Sequence, residues 1–494
     1  MKKNKVIIIG SGFSGLASAI SLADKGFNVT ILEKNSSIGG RSRVFKENGF
    51  TFDMGPSWYW MPDVFEDFFN KFGKKVSDYY NLVRLDPSYR VFFGKDDFLD
   101  LSAKIEELKK TFEKLEKGSS AKLDEFLKEA EYKYKVGMGD FVHKPSLSVN
   151  EFIDKKLLVG AIKLDILESF EKHIRKYFKN KKILKIIEFP ILFLGATPKN
   201  TPAMYSLMNY ADINLGTWYP MDGMFKIIEA MTKLAEEKGV KFELNTEVKK
   251  IEIENNMATK VLTNKESFES DVVVASADYH HVEKNLIDKE YRNYDDKYWE
   301  KRVMSPSSLI FYLGVNKKLN NLLHHNLFFD SDFKIHAQEI YDFPQWPSNP
   351  LFYVCAPSKT DPNVSPEGYE NLFILIPVAT DLKDTEKTRE HYYNLVMERL
   401  EKITKQEIKN NVVLKKSYAH NDFKLDYNAF KGNAYGLANI LSQTAIFKPS
   451  IRNKKVKNIF FTGQLTVPGP GVPPSIISGQ IVAKEIEKEF MEKN

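Results

Sequence analysis

The clearest chemical pattern lies in the first forty residues. Residues Val6–Ile9 are branched and apolar, and the sequence Gly10-Ser11-Gly12-Phe13-Ser14-Gly15 follows them directly. A branched run of this kind predicts a strand that is buried on both faces. Apolar residues recur at helical spacing from Leu16 to Ala23, and Gly26 stands where that helix should end. Val29–Leu32 predicts a second strand, so the order is strand, glycine turn, helix, strand.

The three glycines and an acid have separate roles in a dinucleotide site. Gly10 permits a sharp turn, Gly12 lets a pyrophosphate approach because it has no Cβ, and Gly15 lets the helix pack close to the sheet. The helix N-terminus adds free N–H groups and a partial positive charge. Glu33 lies 18 residues after Gly15, where a carboxylate accepts hydrogen bonds from a ribose diol and repels a 2′-phosphate. The alternative, a glycine turn without a ligand, explains neither the acid nor the register.

A second glycine element separates FAD from NAD. Gly39-Gly40-Arg41-Ser42 follows the acid closely, and it resembles the second phosphate-binding element of glutathione-reductase-like and amine-oxidase-like flavoproteins. The planar fork of an arginine suits phosphate oxygens. An exposed loop with a solvated arginine is the alternative. Together the two glycine elements favour FAD.

The C-terminal part of the chain has a matching pattern. Val456 to Phe461 predicts another buried strand, and a loop rich in glycine and proline extends from Thr462 to Pro474. A helix with prolines in its first turn follows. Its N-terminus could point at the flavin N1 and O2 atoms and stabilise negative charge there. A tight surface turn before an amphipathic tail is the alternative.

These patterns predict an α/β protein with a Rossmann-like FAD-binding domain built from discontinuous segments. We assign residues 1–75, 215–300 and 425–494 to that domain. Residues 76–214 and 301–424 then form an inserted α+β domain that binds substrate and contacts the membrane. No internal repeat or low-complexity linker separates the segments, so a tight interface between the two domains is expected.

The sequence as a whole resembles the bacterial and fungal type of phytoene desaturases, a carotenoid desaturase family of FAD enzymes. The segments that carry the resemblance are Phe52–Ser57, Trp218–Met224, Ala356–Asp361, Ser365–Gly368, Leu425–Gly432 and Pro468–Pro473. The resemblance implies an amine-oxidase-like architecture and dehydrogenation of a long polyisoprenoid, with FAD taking the electrons. One departure stands at Gly463-Gln464-Leu465-Thr466, where the family commonly has Gly-Ala-Gly-Thr. Gln464 is bulkier and polar, so its side chain can form a hydrogen bond near the flavin ring.

The site prediction combines both arguments. We expect FAD contacts from Gly10, Gly12, Phe13, Ser14, Gly15, Glu33, Lys34, Gly40, Arg41, Ser42, Gly55, Pro56, Ser57, Val248, Gly463, Gln464, Gly471 and Val472. No triad or paired-carboxylate motif is visible, so no catalytic residue is nominated. The pairs His280-His281 and His324-His325 are not expected to bind a metal, because neighbouring side chains on a strand point to opposite faces.

A carotene has no polar handle and must be held by shape and apolar area. Trp58–Met61, Phe189–Leu194 and Met204–Tyr210 are candidate walls of a substrate tunnel or membrane entry, with ordinary core packing as the alternative. The segment Lys155 to Lys185 is rich in lysine with interleaved apolar residues. It predicts a basic amphipathic helix on an anionic membrane surface, unless it is simply a solvated helix face.

Composition limits the remaining possibilities. A net charge of +6 on 494 residues gives no reason to expect nucleic-acid binding, and one cysteine rules out an internal disulfide framework. The N-terminal apolar run is too short for a signal peptide. We therefore expect a cytoplasmic enzyme that is attached peripherally to the inner face of the membrane and passes its electrons to oxygen or a quinone.

The expected reaction is conversion of phytoene to lycopene. Alternatives within the family are C30 or hydroxylated carotenoids. An amine-oxidase-like flavoprotein acting on an amine or a porphyrinogen shares the nucleotide motifs only. A non-enzymatic binder similar to GDP-dissociation inhibitors predicts a colourless protein, whereas a flavoprotein is yellow.

Overall fold

A computed structural model describes residues 4–152 and 164–490. The strands are β1 Lys5–Ile9, β2 Asn28–Leu32, β3 Val44–Glu47, β4 Phe50–Asp53, β5 Leu82–Arg84, β6 Tyr89–Gly94, β7 Asp97–Leu101, β8 Trp218–Pro220, β9 Lys241–Glu243, β10 Val248–Glu254, β11 Met257–Thr263, β12 Ser267–Glu269, β13 Val272–Ala275, β14 Ser307–Val315, β15 His325–Phe328, β16 Phe352–Cys355, β17 Glu370–Val378, β18 Val412–Tyr418 and β19 Ile459–Phe461. The longer helices are Phe13–Asp24, Pro62–Asn70, Ile105–Leu115, Ser119–Val136, Lys181–Glu188, Phe225–Glu237, Glu386–Thr404, His420–Tyr427 and Val472–Phe490. Shorter α-helices are Phe170–Ile174, Leu207–Asn209, Tyr279–His281, Asp296–Glu300 and Phe333–Ala337.

The first layer is a parallel sheet of five strands in the order β19-β13-β1-β2-β9. Both faces of β1 are buried, as its branched residues predict. Val6 and Ile8 pack against the helices Phe13–Asp24, Phe225–Glu237 and Val472–Phe490. Ile7 and Ile9 pack toward the small antiparallel sheet β10-β11-β12. The α/β, Rossmann-like fold class is therefore confirmed.

All five strands of this sheet come from the segments 1–75, 215–300 and 425–494. The exact domain boundaries stay a prediction.

The second large sheet has seven strands in the order β18-β14-β17-β16-β15-β6-β7. Its pairings are antiparallel except for β15 with β6. The helix Glu386–Thr404 covers one face. The opposite face packs against helices from residues 76–214, and together they form a separate apolar core. The strands all lie within residues 76–214 and 301–424.

The basic segment Lys155 to Lys185 differs from the sequence-based expectation. Residues 153–163 lie outside the described part of the chain. Residues 164–185 contain the short helix Phe170–Ile174 and the start of Lys181–Glu188, with a turn between them. Phe170, Ile174 and Phe178 are fully buried in the core, so their apolar side faces the protein. For residues 164–185 the expectation of a single amphipathic helix is wrong.

Among the residues that the structure describes, no helix combines the length and the apolar character needed to cross a bilayer.

Candidate functional site

The glycine turn after β1 leaves room for a ligand at one position only. A Cβ on Gly15 would lie 2.2 Å from the carbonyl oxygen of Gly10, so the turn and helix meet too closely for any side chain. Gly10 has φ +101°, which also requires glycine. A Cβ on Gly12 would meet nothing within 4 Å. The space beside Gly12 faces the start of the helix Phe13–Asp24, whose first turn has no side-chain cap.

Glu33 is buried and held in a fixed orientation. Its Oε2 accepts hydrogen bonds from Ser11 N at 3.1 Å and Ser11 Oγ at 2.7 Å. Its Oε1 accepts from Asn35 N and Asn35 Nδ2, both at 2.9 Å. Ser11 also accepts a bond from Gly39 N through its backbone oxygen at 3.1 Å. Glu33, the first glycine element and the second are thus tied together, and the acid stands at the end of β2 as predicted.

The second glycine element places an arginine beside the first. A Cβ on Gly40 would lie 3.3 Å from the Gly12 Cα, so the two elements are in contact. The Nε of Arg41 is buried and has no hydrogen-bond partner, while its Nη2 reaches only the carbonyl oxygen of Asn433 at 3.5 Å. Burial lowers the pKa of the Arg41 guanidinium, and the nearby Asp278 opposes this effect. A buried cation with an unused donor fits a phosphate.

The loop after β4 closes on this arginine. A Cβ on Gly55 would lie 2.2 Å from the backbone oxygen of Arg41, which explains glycine at that position. Asp53 anchors the loop from behind, since its carboxylate accepts hydrogen bonds from Met224 N at 2.7 Å and Phe225 N at 2.9 Å. Burial raises the pKa of Asp53 to about 6. The carboxylate thereby caps the helix Phe225–Glu237 and fixes the loop that leads to Ser57.

The loop after β19 lies against the start of the helix Phe13–Asp24. A Cβ on Gly463 would lie 3.1 Å from Ser14 Oγ, and Gly463 N donates to Ser478 Oγ at 3.0 Å. The helix Val472–Phe490 begins at this place. Gln464 donates from Nε2 to Asn433 Oδ1 at 3.0 Å. Gln464, the residue that differs from the family pattern, therefore links this loop to Asn433. The backbone oxygen of Asn433 also accepts a hydrogen bond from Arg41.

One continuous cavity is lined by nearly all of the residues that we predicted to contact the flavin. Its lining includes Gly10, Gly12, Phe13, Ser14, Glu33, Lys34, Gly40, Arg41, Ser42, Gly55, Pro56, Ser57, Val248, Gly463, Gln464, Gly471 and Val472. Gly15 lies behind the turn and does not face the cavity. The structure brings these residues together from both ends of the chain, while their contacts to a cofactor stay a prediction.

The same cavity extends past Ser57 into an apolar half that reaches the seven-stranded sheet. Its walls include Trp58, Trp60, Met61, Phe189, Leu192, Leu194, Met208, Ile310, Leu327, Phe329, Phe333, Ile340, Tyr341, Tyr353, Leu375 and Tyr435. Each of the three predicted wall segments contributes at least one residue. Tyr59 does not face the cavity, because its ring stacks on Phe65 at 4.3 Å.

Sequence reasoning missed a polar group in this apolar half. Tyr353 Oη lies 3.1 Å from Ser57 Oγ and 2.6 Å from His325 Nδ1. No spacing pattern relates these residues, since Ser57 and Tyr353 are 296 positions apart. The local sequence shows the apolar run that forms β16 and nothing that marks Tyr353 as a neighbour of Ser57.

The argument against a shared metal at the histidine pairs is wrong in its geometry. His324 precedes β15, so strand alternation does not separate it from His325, and the two ring centroids are 4.5 Å apart. With Cys355, each residue offers one ligand atom, and these atoms lie within 4.8 Å of one another. His280 and His281 lie on a helical turn rather than a strand. The expectation that no metal binds stays a prediction.

Comparison with known proteins agrees with this architecture. The family model "Flavin containing amine oxidoreductase" matches residues 13–487. The carotenoid 3,4-desaturase of Haloarcula japonica is 38% identical over 98% of each chain. The 4,4'-diapophytoene desaturase (4,4'-diaponeurosporene-forming) of Staphylococcus haemolyticus is 31% identical over 98% of this chain and 99% of its own. The zeta-carotene-forming phytoene desaturase of Myxococcus xanthus is 29% identical over 98% of this chain and 93% of its own.

Solved structures share the fold at low identity. An oxidoreductase from Methanosarcina mazei has a TM-score of 0.62 at 18% identity, covering 97% of this chain and 100% of its own. Wild-type putrescine oxidase bound to putrescine has a TM-score of 0.63 at 13% identity, covering 98% and 99%. The chain belongs to the carotenoid desaturases within the flavin-containing amine oxidoreductase family. Its cofactor is FAD, which the open space at Gly12 and the unused Nε of Arg41 fit.

Proposed function

We propose that this enzyme desaturates a long carotenoid hydrocarbon, with conversion of phytoene to lycopene as the leading reaction. The observation that carries the proposal is the cavity itself, which continues from the glycine turns into a long apolar half. The charged residues in its lining (Glu33, Lys34, Arg41, Glu247, Asp278 and Asp426) accompany the nucleotide-binding elements. The described residues that line the apolar half include no lysine, arginine, aspartate or glutamate, which supports a hydrocarbon over an amine.

Bound FAD supplies the oxidant that accepts a hydride from an allylic CH₂. The protein's own part is to hold the hydrocarbon, exclude water and shield the positive charge that develops along the polyene. Trp58 lies 5.3 Å from Trp60 and 5.2 Å from Phe189 between ring centroids. Aromatic faces stabilise a nearby cation by about 0.5–2 kcal/mol each. Because the chain offers such faces beside Ser57, the charged stage of the reaction needs no carboxylate.

The decisive experiment is expression of the chain in a bacterium that accumulates phytoene, followed by pigment analysis. We expect phytoene to be consumed and lycopene to appear. Unchanged phytoene, in cells whose purified enzyme contains FAD, would remove the leading substrate. The purified enzyme should also leave amines such as putrescine unoxidised, and turnover of an amine would favour the amine-oxidase alternative.

A second candidate reaction is 3,4-desaturation of a carotenoid. It is supported by the 38% identity to the Haloarcula japonica enzyme, compared with 29% to the zeta-carotene-forming enzyme. A parallel culture that accumulates lycopene separates the two candidates. Additional double bonds in lycopene, with phytoene left intact, would replace the leading reaction by this one.

We propose further that the enzyme takes its substrate from the inner face of the cytoplasmic membrane. Four exposed apolar side chains form what we term the apolar rim: Ile335, Phe343, Leu441 and Phe447. Ile335 belongs to the helix Phe333–Ala337, which lines the cavity, and Tyr341 lines both the cavity and a surface pocket that contains Leu441 and Phe447. Continuity with the cavity favours this rim as the contact with lipid. A quinone in the same bilayer, or oxygen, would then reoxidise the enzyme.

A further inference from the structure

A hydrogen-bonded chain of side chains leads away from the cavity wall at Ser57. Tyr353 lines the cavity, and its Oη contacts Ser57 Oγ at 3.1 Å and His325 Nδ1 at 2.6 Å. His325 is completely buried, and its ring stacks on Trp58 with centroids 3.9 Å apart and planes 11° apart. Trp58 lines the cavity too. The imidazole is therefore fixed in position directly behind the part of the cavity wall that Trp58 and Tyr353 form.

The imidazole of His325 uses only one of its two nitrogens in a hydrogen bond. Its Nε2 is buried and has no hydrogen-bond partner. Burial lowers the pKa of His325, and the neighbouring His324 lowers it further, so the ring is neutral and carries a lone pair. The cavity histidine His336 differs, because both of its nitrogens are used, Nε2 with Pro377 O at 3.0 Å and Nδ1 with Leu351 N at 3.1 Å. His325 is linked to the cavity wall through Nδ1, and the lone pair of a neutral ring at that nitrogen can take a proton from Tyr353.

We infer that Tyr353 and His325 together accept the proton that the carotenoid loses. This inference rests on the proposed function. One C–H bond breaks with its electron pair passing to the flavin as a hydride, which leaves a cation on the hydrocarbon. The C–H bond on the adjacent carbon then breaks, and its electrons form the new double bond. That proton goes to Tyr353 Oη, while the proton of the Tyr353 hydroxyl moves to His325 Nδ1.

The strength of the base suits this step. A C–H bond next to a carbocation is strongly acidic, so a neutral, weakly basic imidazole is sufficient to remove its proton. A hydrocarbon that fills the apolar half would displace water from it, so the proton acceptor has to come from the protein. Tyr353 touches the cavity and is the catalytic residue. His325 acts through Tyr353 and is a positioning residue that stores the proton.

The tautomer of His325 provides a test that requires no turnover. The relay needs an unprotonated Nδ1 on His325 that accepts from the Tyr353 hydroxyl. A hydroxyl has one proton, so Ser57 then donates to Tyr353 Oη, which the rotation of both hydroxyl protons allows. Nitrogen NMR of the FAD-bound protein without substrate, with labelled histidine, of which the chain has nine, reports this directly. We expect an unprotonated Nδ1 on His325 whose signal shifts in Tyr353→Phe. A proton on Nδ1 in the wild type would overturn the inference.

Chemical rescue of His325→Ala distinguishes a base from a packing residue. In anaerobic single turnover with carotenoid in vesicles, we expect Tyr353→Phe and His325→Ala to form product at least about tenfold more slowly, at the low end of general acid–base contributions. Imidazole should restore His325→Ala, whereas pyrazole, a ring of the same size but a much weaker base, should not. Equal rescue by both would assign His325 to packing and overturn the inference.

Controls separate this inference from the proposed function. Tyr392→Phe removes another buried hydroxyl, which donates to Pro347 O at 2.6 Å on the helix Glu386–Thr404, and should leave the rate unchanged. FAD absorbance of each variant shows that the site is intact. A wild type that fails to desaturate any carotenoid contradicts the proposed function and the relay with it. An active wild type with equally active Tyr353→Phe contradicts the relay alone.

Discussion

At the scale of single residues, two glycines of one turn have opposite requirements. Gly12 borders open space, while Gly15 touches the Gly10 carbonyl oxygen. We predict that Gly12→Val folds normally but loses FAD affinity by more than tenfold, about 1.4 kcal/mol or more, because the side chain fills the pyrophosphate position. Gly15→Ala should instead destabilise the protein by about 1–3 kcal/mol through overpacking. Thermal unfolding of the FAD-free proteins and FAD titration measure the two effects. Normal FAD binding by Gly12→Val would contradict the assigned position of the pyrophosphate.

Arg41 provides the second residue-scale prediction. Its Nε has no partner within the protein, and charge-assisted hydrogen bonds contribute about 1.5–3 kcal/mol. Arg41→Gln should therefore weaken FAD binding by roughly 10- to 150-fold, and Arg41→Lys should recover only part of the loss because the fork is gone. Arg90→Gln is the matched control, since Arg90 pairs with Asp100 at 2.6 and 2.8 Å on the other sheet. If both variants weakened FAD equally, Arg41 would not be a phosphate ligand.

At the scale of elements, the contact between the first and last long helices sets the shape of the flavin site. A Cβ on Gly479 would lie 2.4 Å from Ser14 O and 2.8 Å from Ala17 Cβ. Ser18 Oγ also donates to Gly479 O at 3.1 Å. We predict that Gly479→Ala separates the helices, costs about 1–3 kcal/mol of unfolding free energy and weakens FAD binding. Denaturant titration with and without FAD tests this. Lys484→Ala, on the exposed side of the same helix, should change neither quantity.

The elements also show what a sequence can and cannot predict. The strand at Val6–Ile9, the glycine turn and the helix after it were predictable, because their signals are local periodicity and turn chemistry. The short helices between Phe170 and Lys185 were not, because burial by distant elements overrides a mixed basic and apolar pattern. Tyr353 and His325 could not be predicted as neighbours of Ser57. Tyr353 and Ser57 are 296 positions apart and meet only in the folded chain, where the pairing of β15 with β16 places His325 beside Tyr353. Local patterns therefore gave most of the nucleotide site but not the polar group in the apolar half.

At the scale of the whole molecule, two surfaces compete as the contact with lipid. The apolar rim adjoins the cavity, whereas Leu167, which is 91% exposed, belongs to the basic segment. We predict that Phe343→Glu with Phe447→Glu reduces sedimentation with anionic vesicles at least about fivefold, because charge in the interface is costly. Leu167→Glu should have little effect. The reverse result would return the attachment to the basic segment Lys155 to Lys185.

The order of strands in the parallel sheet has a consequence for how the enzyme is made. β1 lies in the centre of the sheet, but β19, which forms one edge, is translated about 450 residues later. At ~5–20 residues per second, the ribosome needs about 20 to 90 s to deliver it. The nascent chain thus carries its first glycine turn long before Gly463 and Val472 exist to complete the cradle. We therefore expect cofactor binding to be one of the final events of biosynthesis, and chains interrupted before Gly463 to be colourless.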